Sequence, residues 1–320
     1  MSAAPVAQPA EAAPVRRISR GVGFLTIVRR RPALAASSLV LLIVLAAAFV
    51  SPALTAGAYR QDVLHRNAPP SAVHWLGTDE LGRDMAARLA VGARVSMIVA
   101  VTSSLMAVAI GVMVGMVAGY LGGLTDSAVM RLVDSMYAFP ETLFAILVAS
   151  LVKGQLAGQA GGLLEPLAEA YRLSGGLLGV LLTLGFTCWL TTSRLVRSQV
   201  LTLKNAEYVL ACRLSGASNW FVIRTHLLPN ALPVILVAVT FVVPNAILLE
   251  AGLSFIGVGV DPPTPSWGTM IASGVQSIQS YPHLLVAPAL AIGATLLALN
   301  VVGDALRDAI DPALRGVGRD

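Results

Sequence analysis

The sequence contains several long stretches without a charged residue, and these constrain the fold more than any other feature. The first runs from Pro32 to Tyr59 and the second from Val95 to Thr125. An apolar helix of about 20 residues is long enough to cross the hydrocarbon core of a bilayer. Hydrophobic residues make up 56% of the 320 residues and charged residues only 12%, far from the balance of soluble globular proteins. The chain is therefore predicted to be an all-α polytopic membrane protein.

Six transmembrane helices are predicted, joined by loops whose basic residues indicate their side. Lys and Arg are in excess in cytoplasmic loops, and here they cluster before the first span and between the fourth and fifth. We therefore expect both termini in the cytoplasm. The net charge of +5 comes from scattered loop residues, so nucleic acid is not an expected partner. The predicted spans are 33–54, 95–125, 127–152, 173–193, 231–256 and 284–303.

The spans define one membrane domain, residues 33–303, with about 95–303 as its core. The flanking regions are an N-terminal cytoplasmic tail (1–32), an external segment (56–92), a cytoplasmic loop (196–230) and a C-terminal cytoplasmic tail (304–320). In the C-terminal tail, Asp304 is expected to cap a short helix that ends at Asp311-Pro312.

The polar stretch 205–229 lies between the fourth and fifth spans and is predicted to form a helix, a turn and a second helix. Gly216 follows the first helix, 206–215, and suits its left-handed C-terminal position. Tyr208, Ala211, Cys212 and Ser215 are spaced to share one helical face. The Leu227-Leu228-Pro229 sequence is read as a stop. An ordinary helical hairpin linking two spans remains an alternative for this loop alone.

The external segment contains glycines and paired charges that indicate a fixed turn. Asp79 and Arg83, and likewise Asp84 and Arg88, have the i, i+4 spacing of ion pairs. His65, His74 and the two aspartates also raise the possibility of a metal site, but the arginines are placed to neutralise the carboxylates. We therefore expect no metal and no catalytic group here. The residues of this signature are Gly77, Thr78, Asp79, Gly82, Arg83, Asp84 and Arg88.

Three features within the spans have predicted roles. Gly111, Gly115 and Gly119 recur every four residues and are expected to let a second helix approach closely. Pro244 and Asn245 are expected to kink the fifth span. Glu141 and Glu250 are ionisable residues within spans, where such residues often serve function, although Glu141 near the membrane surface is an equally good interpretation.

The two cysteines, Cys188 and Cys212, give no disulfide framework, so both are expected to be reduced. A long insert, 154–175, is predicted to be loose and external. The sequence also lacks the Gly-x4-Gly-Lys-Ser/Thr phosphate-binding motif.

The central loop resembles the Glu-Ala-Ala loop of bacterial ABC import permeases. Its spacing of Ala211, Gly216 and Leu228-Pro229 matches, although Leu210 and Cys212 replace the glutamate and the second alanine. Elsewhere LGTDELGRDMAARLAVGARVS, MRLVDSMYAFP, HLLPNALPVILV, EAGLSFIGVGVDPPTPSWG and NVVGDALRDAIDP are similar to the C-type inner-membrane permease subunits of dipeptide and oligopeptide importers. The resemblance covers about residues 20–312.

The resemblance implies a type I ABC importer (MetI-like) permease fold in the bacterial inner membrane, surrounded by lipid. The implied partners are a second (B-type) permease subunit, two ATP-binding subunits and an extracytoplasmic binding protein. The chain would bind no cofactor and catalyse nothing, since ATP and Mg are used by the partner ATPases. The implied ATPase-coupling residues are Tyr208, Leu210, Ala211, Cys212, Arg213, Leu214, Ser215, Gly216, Ala217, His226, Leu228 and Pro229.

The sequence also leaves alternative substrates and functions open. Permeases of this type also import nickel, glycosides and other small solutes. A secondary transporter would use Glu141 or Glu250 to bind a coupling ion. An intramembrane hydrolase would use Ser254, but the Gly-x-Ser-x-Gly elbow is not matched and His226 and His283 are predicted at opposite membrane faces.

Overall fold

The computed structural model describes residues 32–158 and 164–310, and their regular secondary structure is helical. Most of the predicted N-terminal tail, the predicted stop at Asp311-Pro312 and part of the insert 154–175 lie outside the described residues. The helices are α1 (Pro32–Val50), α2 (Thr55–Tyr59), α3 (Met85–Leu121), α4 (Gly123–Tyr137), α5 (Glu141–Ala157), α6 (Glu165–Leu173), α7 (Leu177–Thr187), α8 (Trp189–Leu203), α9 (Glu207–Leu214), α10 (Asn219–Val222), α11 (Leu228–Phe255), α12 (Trp267–Gln276) and α13 (His283–Ile310).

Among the described residues, five helices are long and apolar enough to cross a membrane, and six if the bent pair α4 and α5 is counted as one span. The predicted all-α class is thereby confirmed. The prediction of a single third helix over 127–152 is wrong, because α4 and α5 meet at a bend of 92°. Pro140 precedes α5. Its ring and its missing N–H prevent α4 from continuing through this point.

Several predicted boundaries also differ from the observed ones. The helix that contains the second predicted span begins at Met85, ten residues before that span, because the Asp84 side chain caps α3 by accepting a hydrogen bond from the Ala87 N–H. The fourth span continues as α8 to Leu203. The last helix runs unbroken through Asp304, so the predicted cap there is wrong. The helix can continue past Asp304 because no proline stands between Pro288 and Pro312. Packing of Gly303 against Thr240 of α11 holds this part of α13 on the bundle.

Helix α3 lies at the centre of the fold because its small residues admit a neighbour along its length. A Cβ atom added to Gly111, Gly115 or Gly119 would lie 2.6, 2.5 or 2.9 Å from an atom of α8. Larger side chains fill the space around this contact in two apolar clusters. One includes Val99, Leu184, Trp189, Val242 and Leu253, and the other includes Met116, Val196, Val200, Val222 and Leu227.

The insert is more regular than predicted. Helix α5 extends to Ala157, and residues 165–173 form α6. Tyr171 and Ala168 of α6 are buried against Leu156. This apolar contact gives α6 a buried face, which explains why this part of the insert forms a helix although glycines flank it.

Candidate functional site

The loop between α8 and α11 begins with α9, whose ends are defined by local backbone bonds. Gly216 has φ of +83°. Its N–H bonds to the Arg213 carbonyl, and the Ala217 N–H bonds to the Cys212 carbonyl. This is the Schellman arrangement. A Cβ atom on Gly216 would meet nothing within 4 Å, so the position favours glycine for its backbone conformation and not for lack of space.

Helix α9 has one buried side and one open side. Val209 is fully buried, and Cys212 is half-buried against the cluster that contains Val200 and Val222. The predicted common face of Tyr208, Ala211, Cys212 and Ser215 is therefore divided. Cys212 lies one turn after Val209 and turns toward the bundle with it.

The chain returns to the helical bundle through α10 and a π-helical turn, Ile223–Leu227. The predicted stop at Leu227-Leu228-Pro229 is wrong, because the helix continues from this turn directly into α11. Proline has no N–H to donate. The wider π turn shifts the hydrogen-bond register just before Pro229, as such bulges do within longer helices.

Aromatic side chains connect the parts of the loop with one another and with α3. The His226 ring lies 6.0 Å from the Tyr208 ring and 5.9 Å from the Phe221 ring. The Tyr120 hydroxyl of α3 donates a 2.8 Å hydrogen bond to the Asn219 side chain. Arg213 lies 5.7 Å above the Tyr120 ring. The loop is thus attached to the central helix at both of its helical segments.

Five large apolar side chains of the loop are exposed. Leu214 is 89% exposed and Trp220 is 69% exposed. Leu210, Tyr208 and Phe221 are each more than 40% exposed. We refer to these five residues as the loop surface. Large apolar side chains gathered on a rigid support are typical of a protein interface. The remaining predicted loop residues lie as follows: Ala211, Arg213, Ser215 and Pro229 are exposed, whereas Ala217 and Leu228 are half-buried.

The signature before α3 is organised around one buried carboxylate. Asp79 accepts hydrogen bonds from Arg83 Nε at 2.7 Å and lies 3.2 Å from Arg88 Nε. It also accepts from the backbone N–H groups of Leu81 and Arg83. Gly82, at φ of +75°, permits the turn that brings Arg88 to Asp79.

The predicted Asp84–Arg88 ion pair is wrong. Asp84 instead caps α3 and pairs with His74, whose Nδ1 lies 2.7 Å from the carboxylate. Thr78 accepts from the Ala68 N–H and donates to the His65 carbonyl. Gly77 approaches Ala68 and His283 closely, so the signature contacts the start of α13. Within the described ranges, no three His, Cys, Asp or Glu side chains are grouped to hold a metal ion.

Glu250, which the sequence identifies only as an ionisable residue within a span, is fully buried between helices. Ser96 and Ser254 donate hydrogen bonds to its two carboxylate oxygens at 3.0 and 2.8 Å. The Ser254 hydroxyl also accepts from the Val260 N–H. These bonds join α3, α11 and the turn after α11. The Ser254 hydroxyl is engaged in this network, and among the described residues it forms no hydrogen bond with His226 or His283.

A second polar group, which the sequence did not reveal, joins the insert to the turn after α11. Asp261 lies 2.7 Å from Lys153 Nζ and accepts a 2.9 Å hydrogen bond from the Tyr171 hydroxyl. Burial, followed by the hydrogen bond to Asp261, raises the pKa of Tyr171 well above its ordinary value. Tyr171 therefore remains a neutral hydrogen-bond donor at any physiological pH.

Glu141 begins α5 at the bend that follows α4. Its Oε1 accepts a 2.8 Å hydrogen bond from Asn245 Nδ2 of α11. Two cavities, of about 240 and 190 Å³, meet at Glu141 and at Thr191 of α8. Unlike Glu250, Glu141 is exposed.

Together, the bundle of apolar helices and the loop attached between two of them define a helical membrane protein of several spans. The family model of the binding-protein-dependent transport system inner membrane component matches residues 111–316, and the chain belongs to this family.

Relatives and solved structures agree with this assignment. The chain is 41% identical to the oligopeptide transport system permease protein OppC of Bacillus subtilis, over 79% of this chain and 76% of that protein. It is also 41% identical to the dipeptide permease protein DppC of the same organism, over 86% and 80% of the two chains. A structure of the MetNI methionine ABC transporter in an inward-facing conformation matches with a TM-score of 0.54 at 17% identity, over 70% of this chain and 96% of that one. The MetI-like fold is thereby confirmed, and the chain is an ABC importer permease subunit.

Proposed function

We propose that this permease subunit carries short peptides across the bacterial inner membrane as part of an ATP-driven importer. The two relatives named above, at 41% identity, are oligopeptide and dipeptide permease proteins. A third relative, 35% identical, is a glutathione transport permease protein of Pectobacterium atrosepticum. The proposed partners are a second permease, two ATP-binding subunits and an extracytoplasmic binding protein. This chain would itself bind no cofactor and catalyse no reaction.

The loop surface is the observation that carries the coupling part of this proposal. It offers Leu210, Leu214 and Trp220 on a short helix and its return segment, both attached to the bundle. Docking of an ATP-binding subunit would cover these side chains. Leu210 stands where the family pattern has glutamate, so this docking should depend on apolar packing and only weakly on salt.

The proposed topology places the loop and both termini in the cytoplasm, in keeping with the basic residues of α8 and the loop. The proposed membrane domain is 33–303, with a core from about 95, and the family model matches residues 111–316. Reporter fusions after Arg66 and after Trp267 should both prove extracytoplasmic. Cytoplasmic signals at either position would contradict the proposed topology.

Two side-chain replacements test docking. Leu214→Glu places a charge on the loop surface, and Leu124→Glu is its matched control, since Leu124 is 90% exposed but lies outside the loop, in α4. Burying a leucine contributes about 1.5–3 kcal/mol. We therefore expect Leu214→Glu to weaken binding of the ATP-binding subunits about tenfold to a hundredfold, measured by co-purification and by titration in detergent. Equal binding by the two variants would refute the docking surface.

Transport assays distinguish the substrate classes. Cells that lack their own peptide importers should take up labelled tripeptides only when this chain, its partners and an active ATPase are all present. Uptake of nickel or a glycoside in place of peptide would overturn the peptide assignment while leaving the permease assignment intact. Uptake without an active ATPase would instead favour a secondary transporter.

A further inference from the structure

Glu141 lies about half a bilayer thickness from the C-terminal end of α11, measured along that helix. Its partner Asn245 is ten residues from the end of α11 at Phe255, or about 15 Å at the rise of an α-helix, which is half the thickness of the hydrocarbon core. Thr191, which lines both cavities with Glu141, lies near the middle of the 27-residue span Leu177–Leu203. Two independent spans therefore place the carboxylate at similar depth.

The surroundings of Glu141 differ from those of a carboxylate with a purely structural role. No described Lys, Arg or His forms an ion pair with it, and Asn245 supplies its only hydrogen bond from another helix among the described residues. Glu250, by contrast, is fully buried and bonded at both oxygens. A charged side chain exposed at this depth is not expected to face lipid. Its open side should border the path through which solute passes.

The polar atoms at Glu141 match a primary ammonium group. Glu141 Oε2 receives no hydrogen bond from the described residues, and the Asn245 amide uses Nδ2 and leaves Oδ1 as an acceptor. An ammonium group has three donors and no acceptor, so it can bond to both of these oxygens. The cavities on either side are lined by Phe139, Phe144 and Phe241 among others. Such walls suit apolar side chains of a passing molecule.

We propose that Glu141 and Asn245 form a binding site for the free α-ammonium group of the transported peptide, half way across the membrane. The proposal rests on the proposed function, since it assigns a contact within a peptide path. Arg194, which follows Thr191 by one turn in α8, is already paired with Asp134 at 2.5 Å and stacked 3.8 Å above the Tyr137 ring. The site is therefore assigned to the amino end of the peptide alone.

The test uses the complete importer in proteoliposomes with its binding protein and ATP. The measured quantity is trialanine transported per ATP hydrolysed. Glu141→Gln removes the charge with little change of shape and should lower this ratio about tenfold or more, since hydrogen bonds to charged groups are the stronger ones. Binding-protein-stimulated ATP hydrolysis should stay within about twofold of wild type, because the loop surface is unchanged. Glu141→Asp keeps a carboxylate and should recover much of the lost transport.

Two controls isolate the ammonium contact. Glu165→Gln makes the same chemical change at an exposed glutamate of α6 that pairs with Arg172, and it should transport trialanine as wild type does. With N-acetyltrialanine, which lacks the ammonium group, wild type and Glu141→Gln should give the same ratio.

Three results would overturn the site. The first is a wild-type ratio of trialanine transported per ATP for Glu141→Gln. The second is that Glu141→Gln lowers this ratio for N-acetyltrialanine by the same factor as for trialanine. The third is dissociation of the two permeases of the Glu141→Gln importer on gel filtration, which would assign Glu141 to the interface between subunits. Failure of the wild-type importer to transport any peptide would instead refute the proposed function, so the two failures are distinguishable.

Discussion

Replacing Gly115 by alanine tests the packing of α3 against α8, on which the central part of the fold depends. The added Cβ would lie 2.5 Å from the Ser193 carbonyl oxygen, a backbone atom that cannot move without shifting α8. The matched control is Gly293→Ala in α13, where an added Cβ meets nothing within 4 Å. Both changes replace a glycine within a helix by alanine. The gain in helix propensity, about 1 kcal/mol, is therefore common to both.

The difference between the two variants isolates the steric cost. Overpacking a close contact costs about 1–3 kcal/mol, and 1 kcal/mol corresponds to about 2–4 °C for a mid-sized domain. We expect Gly115→Ala to melt about 2–12 °C below Gly293→Ala in detergent, measured by intrinsic tryptophan fluorescence. Equal melting temperatures would show that α8 does not approach α3 as closely as described.

Two further replacements test buried polar groups. Asp79→Asn leaves the buried Arg83 and Arg88 without a charged partner, so it should lower the free energy of unfolding by about 3–5 kcal/mol. The control is Glu80→Gln at the exposed neighbour, which should change this free energy little. Equal melting temperatures for the two variants would contradict the role of Asp79 as the centre of the signature. Ser254→Ala removes a hydrogen-bond donor to the buried Glu250 carboxylate and the acceptor for the Val260 N–H. It should therefore lower the free energy of unfolding by about 1–3 kcal/mol. The exposed Ser215→Ala is its control, and a difference below about 0.5 kcal/mol in thermal melts would refute the network.

Much of the helical framework was predictable because a membrane leaves few alternatives for an apolar segment. The prediction of one continuous helix was wrong for the third span, where Pro140 stands within an otherwise apolar run. Its presence indicated a break, but the size of the bend depends on how α5 packs against α7. The π turn before Pro229 was not predictable, because a single extra residue in a helical turn leaves no periodic trace in so short a segment.

The signature shows why spacing alone identifies some ion pairs and not others. The pair of Asp79 and Arg83 follows directly from the i, i+4 rule. The same rule assigned Arg88 to Asp84, but the turn at Gly82 brings Arg88 to Asp79 and leaves Asp84 to cap α3. Capping was an equally local option for an aspartate at that position. The choice between the two depended on the three-dimensional path of the turn.

One continuous helical segment connects the loop surface with Glu141, the two parts of the molecule for which we propose functions. Residues 219–255 form a 37-residue helical segment that includes the π turn. At its start, Val222 and Leu227 are fully buried in the cluster beneath α9. Further along, Asn245 contacts Glu141. The distance from Val222 to Asn245 is about 35 Å along the helix. Because packed helices move as nearly rigid units between discrete arrangements, we expect a displacement of the loop surface to reach the Glu141 cavities through this helix, without a separate relay of side chains.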